Sequence, residues 1–581
     1  MTDNTQSPIS LKERREKALA KDRRDILAMS PEKALDVIAD HPYPVTLVQS
    51  FTEEDLYLLV HSIGPDDALP ILGMASNEQW DYFLDTDIWQ RDQIDIEAMT
   101  RWLDHLLKAD ADRFTHWISH SKTDELTYYL FRNIEVMTRE NDQDPSDFGE
   151  GFFSEDQTHF VRLREIDNSL KSGKQYEEER DILVTDVLKR LAVFDYAKYI
   201  ALLLESTSIL PAETEEGLYR MRNVRLAEKG FIPHDEAVGV YQPLSVGELK
   251  KRGRKPDQVS GRPVEAYPLP IMTRTTREGA NLFEKALTDI QDEAAYQQLQ
   301  SEFAGLCNQV IAADQIVVRQ KEILNQVVAK VSDTISLGLE KYHLETGDTS
   351  PIADTMLVRM HLLGDLFRVG YGCALELKWK AERWQRTAWF FTRGLAIGFW
   401  GETGMGVLGG LLLKKPLFYN PAGAGSLYKE FTTLDQIRST GKILDDIIAY
   451  DELLAAVDLD IGRVKGANRP EVLTYQNLLL TLWARHYLGL PDNSALPLTL
   501  DQFSQLFSDL WEKEAKSPTI RNDIKDHFME WLARCSDMER FDIADRMGGA
   551  LEELFNTVVT ELGHVEARYL DPRFVHLFIL K

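Results

Sequence analysis

Along almost all of this 581-residue chain, apolar residues return every three or four positions, the spacing of one face of an α-helix. Leu56, Leu59, Val60 and Ile63 show it early, followed by Ala98, Met99, Trp102, Leu103, Leu106 and Leu107. Ile323, Val327, Val328, Val331 and Ile335 show it again in the second half. The runs are short, so each helix must bury its stripe against a neighbour. The pattern predicts an all-α fold of stacked helical hairpins, α-solenoid-like, in two blocks, with at most a short β-hairpin near 151–164.

Local signals mark where helices begin. Ser30-Pro31-Glu32 offers a cap, a proline at the first helical position and an acidic first turn. The stretch 47–60, LVQSFTEEDLYLLV, aligns without gaps on 71–84, ILGMASNEQWDYFL, an offset of 24 residues. Thr52 and Ser76 fall at equivalent capping positions, and Leu56, Leu59 and Val60 match Trp80, Phe83 and Leu84. A blurred third copy, ADRFTHWIS at 111–119, pairs Phe114 with Ile71 and Trp117 with Met74. Repeated short helix pairs predict a stacked array.

These residues resemble the amino-terminal cytosolic helical domain of MgtE-type magnesium transporters, whose units also run through an acidic cap into a paired-leucine helix. The resemblance implies the helical scaffold alone, because the membrane part that transports is missing. Through RNVRLAEKGFIPHDEAVGVYQPL at 222–244 and LDPRFVHLFILK at 570–581, the whole chain also resembles an uncharacterised bacterial family of similar length, which implies no activity.

Punctuation suggests the divisions. Residues 1–28 read as a charged arm and 29–138 as the hairpin-repeat domain. The segment 139–175 reads as an acidic loop that holds any short hairpin, and 176–244 as a helical continuation. The basic stretch 245–277 reads as a linker, and 278–581 as a C-terminal helical domain interrupted by a Gly-rich loop at 394–425.

A formal net charge of -28 disfavours nucleic acid and anionic membrane over most of the surface and favours basic partners. The most apolar stretch, 388–413, is broken by Arg393 and Glu402, so no membrane span is expected. Cys307, Cys373 and Cys535 form no CxxC pair, and the polar N-terminus lacks a secretory pattern. Both point to the cytoplasm.

Gly404-Met405-Gly406-Val407-Leu408-Gly409 spells GxGxxG, which in a dinucleotide fold lets backbone approach pyrophosphate at a helix N-terminus. Here its flanks are helical rather than a strand, which favours a Gly-rich loop between packed helices. Gly441-Lys442 ends like a phosphate-binding loop, but Gln436 and Ile443 stand where Gly and Ser or Thr belong. Asp142, Asp144 and Ser146 could open a calcium loop, yet Asp147 and Phe153 replace its glycine and bidentate glutamate.

Asp112, His116 and His120, four apart, fall on one helix face and carry metal-ligand chemistry that a polar face explains equally well. Lys251-Arg252-Gly253-Arg254-Lys255-Pro256 is similar to the core of a minor-groove AT-hook, confining any nucleic-acid contact to 250–256. In 376–393, Trp379, Arg383 and Arg386 suit an interface, whereas Trp384, Trp389 and Phe390 suit a core.

No residue earns a catalytic, cofactor-binding or metal-binding assignment, and no cofactor is called for. The leading expectation is a non-enzymatic helical scaffold or regulatory protein that binds a partner protein. The alternatives are a nucleotide-binding enzyme or sensor using Gly404–Gly409 and a divalent-cation-responsive regulator.

Overall fold

The computed structural model describes residues 11–140, 143–165, 173–252, 280–347, 351–421, 423, 425–456, 473–491, 497–512 and 517–581. The fold is all-α, with helices packed in pairs, and the described strands form three antiparallel two-stranded pairs. The chain divides into two compact units. The first runs through Val240 and takes in Gln300–Ala329, and the second includes Lys330–Lys581.

In the first unit, Thr52 caps Glu53–Ile63 by accepting the Asp55 N–H at 3.2 Å. Ser76 caps Asn77–Asp87 in a reciprocal box with Gln79. Such caps stabilise a helix by about 1 kcal/mol each. Gln79 also reaches back through Nε2 to the carbonyls of Val48 and Phe51, at 3.1 and 3.0 Å, so one buried side chain caps its own helix and closes the end of Pro44–Ser50. Asp110 ends Ile96–Ala109 and caps Ala111–His120, forcing a sharp corner with no loop. The core is aromatic: Trp80 meets Trp117 edge to face at 5.3 Å, and Arg113 stacks over Trp80 at 3.9 Å.

In the second unit, helices Lys321–Thr346 and Leu363–Gln385 cross at Gly338 and Gly370. A Cβ on Gly370 would collide with the Thr334 carbonyl and lie 2.8 Å from the Gly338 nitrogen, so only glycine permits this approach. Buried Asp451 accepts from Trp384 Nε1 at 3.2 Å and from the backbone N–H groups of Trp389 and Phe390 at 2.9 Å each. Trp384, Trp389 and Phe390 are therefore core residues, while Trp379 stays 40% exposed.

The Gly-rich loop expected at 394–425 is corrected. A 3₁₀ turn at Ile397–Trp400 leads into helix Gly401–Leu411, and Phe418–Tyr419 then pairs with Tyr428–Lys429. Glycine costs about 1 kcal/mol within a helix, but here the bare backbone admits large neighbours. A Cβ on Gly406 would lie 2.5 Å from the Tyr419 ring, and one on Gly410 would lie 2.5 Å from the Leu417 carbonyl. The short hairpin expected near 151–164 is present as an antiparallel bridge between Phe153 and Val161, and strand His159–Leu163 pairs on its other edge with Ile134–Thr138 across the intervening loop. The 245–277 stretch begins with helix Val246–Lys251, capped by Ser245, and its remainder from 253 lies outside the described residues.

Candidate functional site

A cavity of about 230 Å³ lies within the first unit. Four helical faces, Leu324 of helix Lys321–Thr346 and two short turns build it. Glu53–Ile63 supplies Glu54, Tyr57 and Leu58, leaving Leu56, Leu59 and Val60 for the core. Asn77–Asp87 supplies Tyr82 and Thr86, and Trp89 follows directly. Pro211–Glu228 presents Tyr219, Arg222, Asn223 and Leu226, a stripe at steps of three and four. The end of Glu293–Asp314 presents Asn308, Ile311 and Ala312 in the same rhythm. Phe231–His234 and Gln315–Val318 close the rim.

Two bonds fix those closing turns. His234 Nδ1 lies 3.0 Å from the Ala312 carbonyl, and Asn308 donates to the Lys229 carbonyl at 3.4 Å. Gln315 adopts φ of 53°, a left-handed conformation that lets the chain leave its helix and turn across the opening.

Behind the cavity, buried Asp87 gathers four partners. The Tyr57 hydroxyl donates to it at 2.7 Å, Trp102 Nε1 at 3.0 Å and Arg319 Nε at 3.1 Å, while His61 Nε2 lies 2.8 Å away. Burial pushes the Asp87 carboxyl up, but the hydrogen bond and charge of His61, the Tyr57 bond and Arg319 together hold it below the ordinary value. Burial and the Asp87 charge push the Tyr57 hydroxyl far up, so Tyr57 keeps its proton and acts as a donor. This arrangement stiffens the cavity wall.

A second arrangement sets Arg222. Arg225 grips the Asp85 carboxylate with a fork, Nε and Nη2 each at 2.7 Å. Arg222 is left to the Asp85 backbone carbonyl, 2.6 Å from Nε, and to Asn223 Oδ1, 3.4 Å from Nη1. Its guanidinium lies 5.5 Å from the Trp89 ring and 5.9 Å from the Tyr219 ring, and burial lowers its pKa. Glu54 is also pushed up, chiefly by burial. Thr86 Oγ1 is buried and makes no hydrogen bond of normal geometry, although it lies within loose reach of the Tyr82 hydroxyl. The cavity thus combines apolar walls with polar groups that its own walls leave incompletely paired.

The residues singled out from sequence lie elsewhere. Gly404, Gly406 and Gly409 sit inside helix Gly401–Leu411, where a Cβ on Gly404 would press on Trp400 and one on Gly409 on the Tyr428 hydroxyl. Gly441 and Lys442 are likewise helical, within Leu434–Ala456. His116 and His120 stack face to face at 4.5 Å, with Phe194 against both rings. Among the described residues, no group of three or more His, Cys, Asp or Glu is arranged to hold a metal ion. Asp142 lies outside the described residues, as do Gly253–Pro256, while Arg252 bonds Asp365 at 2.7 Å. Cys307 and Cys373 are buried free thiols. No described helix is long and apolar enough to cross a membrane.

None of the cavity residues was singled out as a site from the sequence, although the stripe at 219, 222, 223 and 226 is present there. Its mixed chemistry, Tyr, Arg, Asn and Leu, gives no amphipathic signal, because a cavity wall is neither core nor solvent face.

Fold and cavity together define an all-helical protein with an internal pocket of ligand size. The chain belongs to a family of unknown function, DUF6178, whose model matches residues 12–581. This agrees with the family resemblance carried by 222–244, a stretch that also supplies Arg222, Asn223, Leu226 and Phe231–His234 to the cavity. No curated protein and no solved structure matches the chain, and the resemblance to magnesium transporters finds no support.

Proposed function

We propose that this protein is a non-catalytic helical binding protein that holds a small, largely apolar molecule in the first-unit cavity. The observation that carries the reading is the cavity itself, with walls braced by Asp87 and Asp85 rather than collapsed. Its volume of about 230 Å³ exceeds the roughly 150 Å³ that admits benzene in an engineered protein and falls below the roughly 300–1,000 Å³ of drug-sized sites. Thermal unfolding of the full chain with toluene or indole tests it. Binding at ten times Kd stabilises the folded state by about 1.4 kcal/mol, and Ala312→Leu, which fills the cavity, removes the gain. If neither compound stabilises the wild-type chain, the reading fails.

A partner protein is the second reading, and in it the ligand would serve a scaffold or regulatory role. Helix Pro211–Glu228 turns Met221 and Val224 outward, 56% and 57% exposed, with Leu210 at 62% nearby in sequence. Exposed apolar side chains of this kind support a docking face, and the net charge of -28 favours a basic partner. Stacked repeats and a cytoplasmic location fit this reading, the latter supported by the free thiols of Cys307 and Cys373.

A further inference from the structure

We infer that the cavity takes a small organic anion, a carboxylate on a compact apolar body, with Arg222 as its anchor. The inference rests on the cavity being a binding site. It begins with a mismatch of charge inside the first unit. Arg222 is half-buried and lines the cavity, yet its hydrogen-bond partners, the Asp85 carbonyl and Asn223 Oδ1, are both neutral. The nearest candidate counter-ion, the Asp85 carboxylate, is already occupied by both arms of the Arg225 fork. Among the described residues, no carboxylate forms an ion pair with Arg222. A desolvated guanidinium whose hydrogen-bond partners are neutral, and which shares the charge of Asp85 with Arg225, is under-compensated, and an anion that enters beside it adds the charge it lacks.

Geometry narrows the anion. Arg222 is held through Nε by a backbone carbonyl and flanked by Trp89 and Tyr219, so its guanidinium is placed before any ligand arrives. Among the described residues, its hydrogen bonds leave from Nε and Nη1, and none from Nη2. A guanidinium edge matches a planar carboxylate through paired N–H···O bonds. The rest of the cavity is walled by Leu58, Leu226, Phe231, Ile232, Ile311 and Val318, which suits a hydrocarbon body.

The volume admits a single ring with a short acid arm. Glu54 is the one acidic side chain in the lining, and burial raises its pKa, which weakens its opposition to an anion. Arg91, on the rim, adds a second positive charge.

Calorimetry and thermal unfolding of the full chain with phenylacetate, phenylacetamide and toluene test the inference. Phenylacetate is expected to bind roughly tenfold or more tighter than the isosteric amide, the worth of one charge-assisted bond. Arg222→Gln is expected to erase that preference while keeping amide and toluene binding, and Arg222→Lys to restore part of it. Equal binding of acid and amide by the wild-type chain overturns the anion inference and leaves the cavity reading standing. Failure of all three probes overturns both. The acid-to-amide comparison needs no variant, so it decides the matter even if substitutions at Arg222 disturb folding.

Discussion

Replacing Asp87 by alanine removes the single acceptor shared by Tyr57, His61, Trp102 and Arg319. Arg319, whose side chain is 51% exposed, can turn to water and contributes little to the cost. Tyr57 Oη and Trp102 Nε1 cannot, because both residues are buried. Each orphaned donor costs about 1–3 kcal/mol. Water entering the vacated space offsets part of this, giving a net loss of about 3–5 kcal/mol, as for breaking a buried charged pair.

Because the chain has two units, one global unfolding curve would not isolate this loss. Hydrogen exchange does, by reading segments separately. Amides in Glu53–Ile63 and Ile96–Ala109 are expected to exchange on the order of 10²- to 10⁴-fold faster, while Leu434–Ala456 in the second unit serves as an unchanged reference. Asp87→Asn, which keeps volume and one acceptor, should fall between. Acceleration of less than about tenfold in Asp87→Ala would refute the reasoning, since Asp87 would then be no more than an ordinary polar residue.

Gly370→Ala is expected to destabilise the second unit by about 1–3 kcal/mol or more, because the new methyl meets backbone that no rotamer change can clear. Gly548→Ala, in helix Arg540–Leu562 with nothing within 4 Å, should stabilise by up to about 1 kcal/mol; hydrogen exchange in Leu363–Gln385 and in Arg540–Leu562 reads the two effects. Acid should loosen the hairpin of the first unit. Burial pushes the Asp156 carboxyl up, but the backbone N–H groups of His159 and Thr158 and the His159 ring bring it down to about 2. Its folded pKa is depressed, so its contribution is complete above an unfolded value of about 3.9 and is lost as pH falls toward about 2. An acid titration followed by circular dichroism should show this slope, and Asp156→Asn should flatten it.

Sequence pattern found what depends on neighbours along the chain. Thr52 and Ser76 cap where their spacing puts them, and the stripes of Leu56 and Trp102 point into the core. It missed what depends on distant segments. Asp87 is one carboxylate among 94 acidic residues, and nothing local marks it as the meeting point of Tyr57 and Arg319. The helical flanks of Gly404–Gly409 point to a loop between helices, whereas the segment is itself helical and the packing of Tyr419 and Tyr428 requires glycine there. Near 151–164 the local bridge of Phe153 to Val161 follows from sequence, whereas the longer pairing of His159–Leu163 with Ile134–Thr138 spans an acidic loop and leaves no local signal.

The first unit is not contiguous in the chain, since its last piece is Gln300–Ala329. During synthesis at about 5–20 residues per second, the segment up to Val240 therefore waits several seconds or more for the residues that complete it. Until then Asp87 lacks Arg319, and the cavity lacks the wall formed by Asn308, Ile311, Ala312 and the turn at Gln315–Val318. An expression fragment ending at Val240 freezes that half-built state. It should fold its helices yet retain no pocket, which makes residues up to 329 the shortest stretch on which any ligand can act.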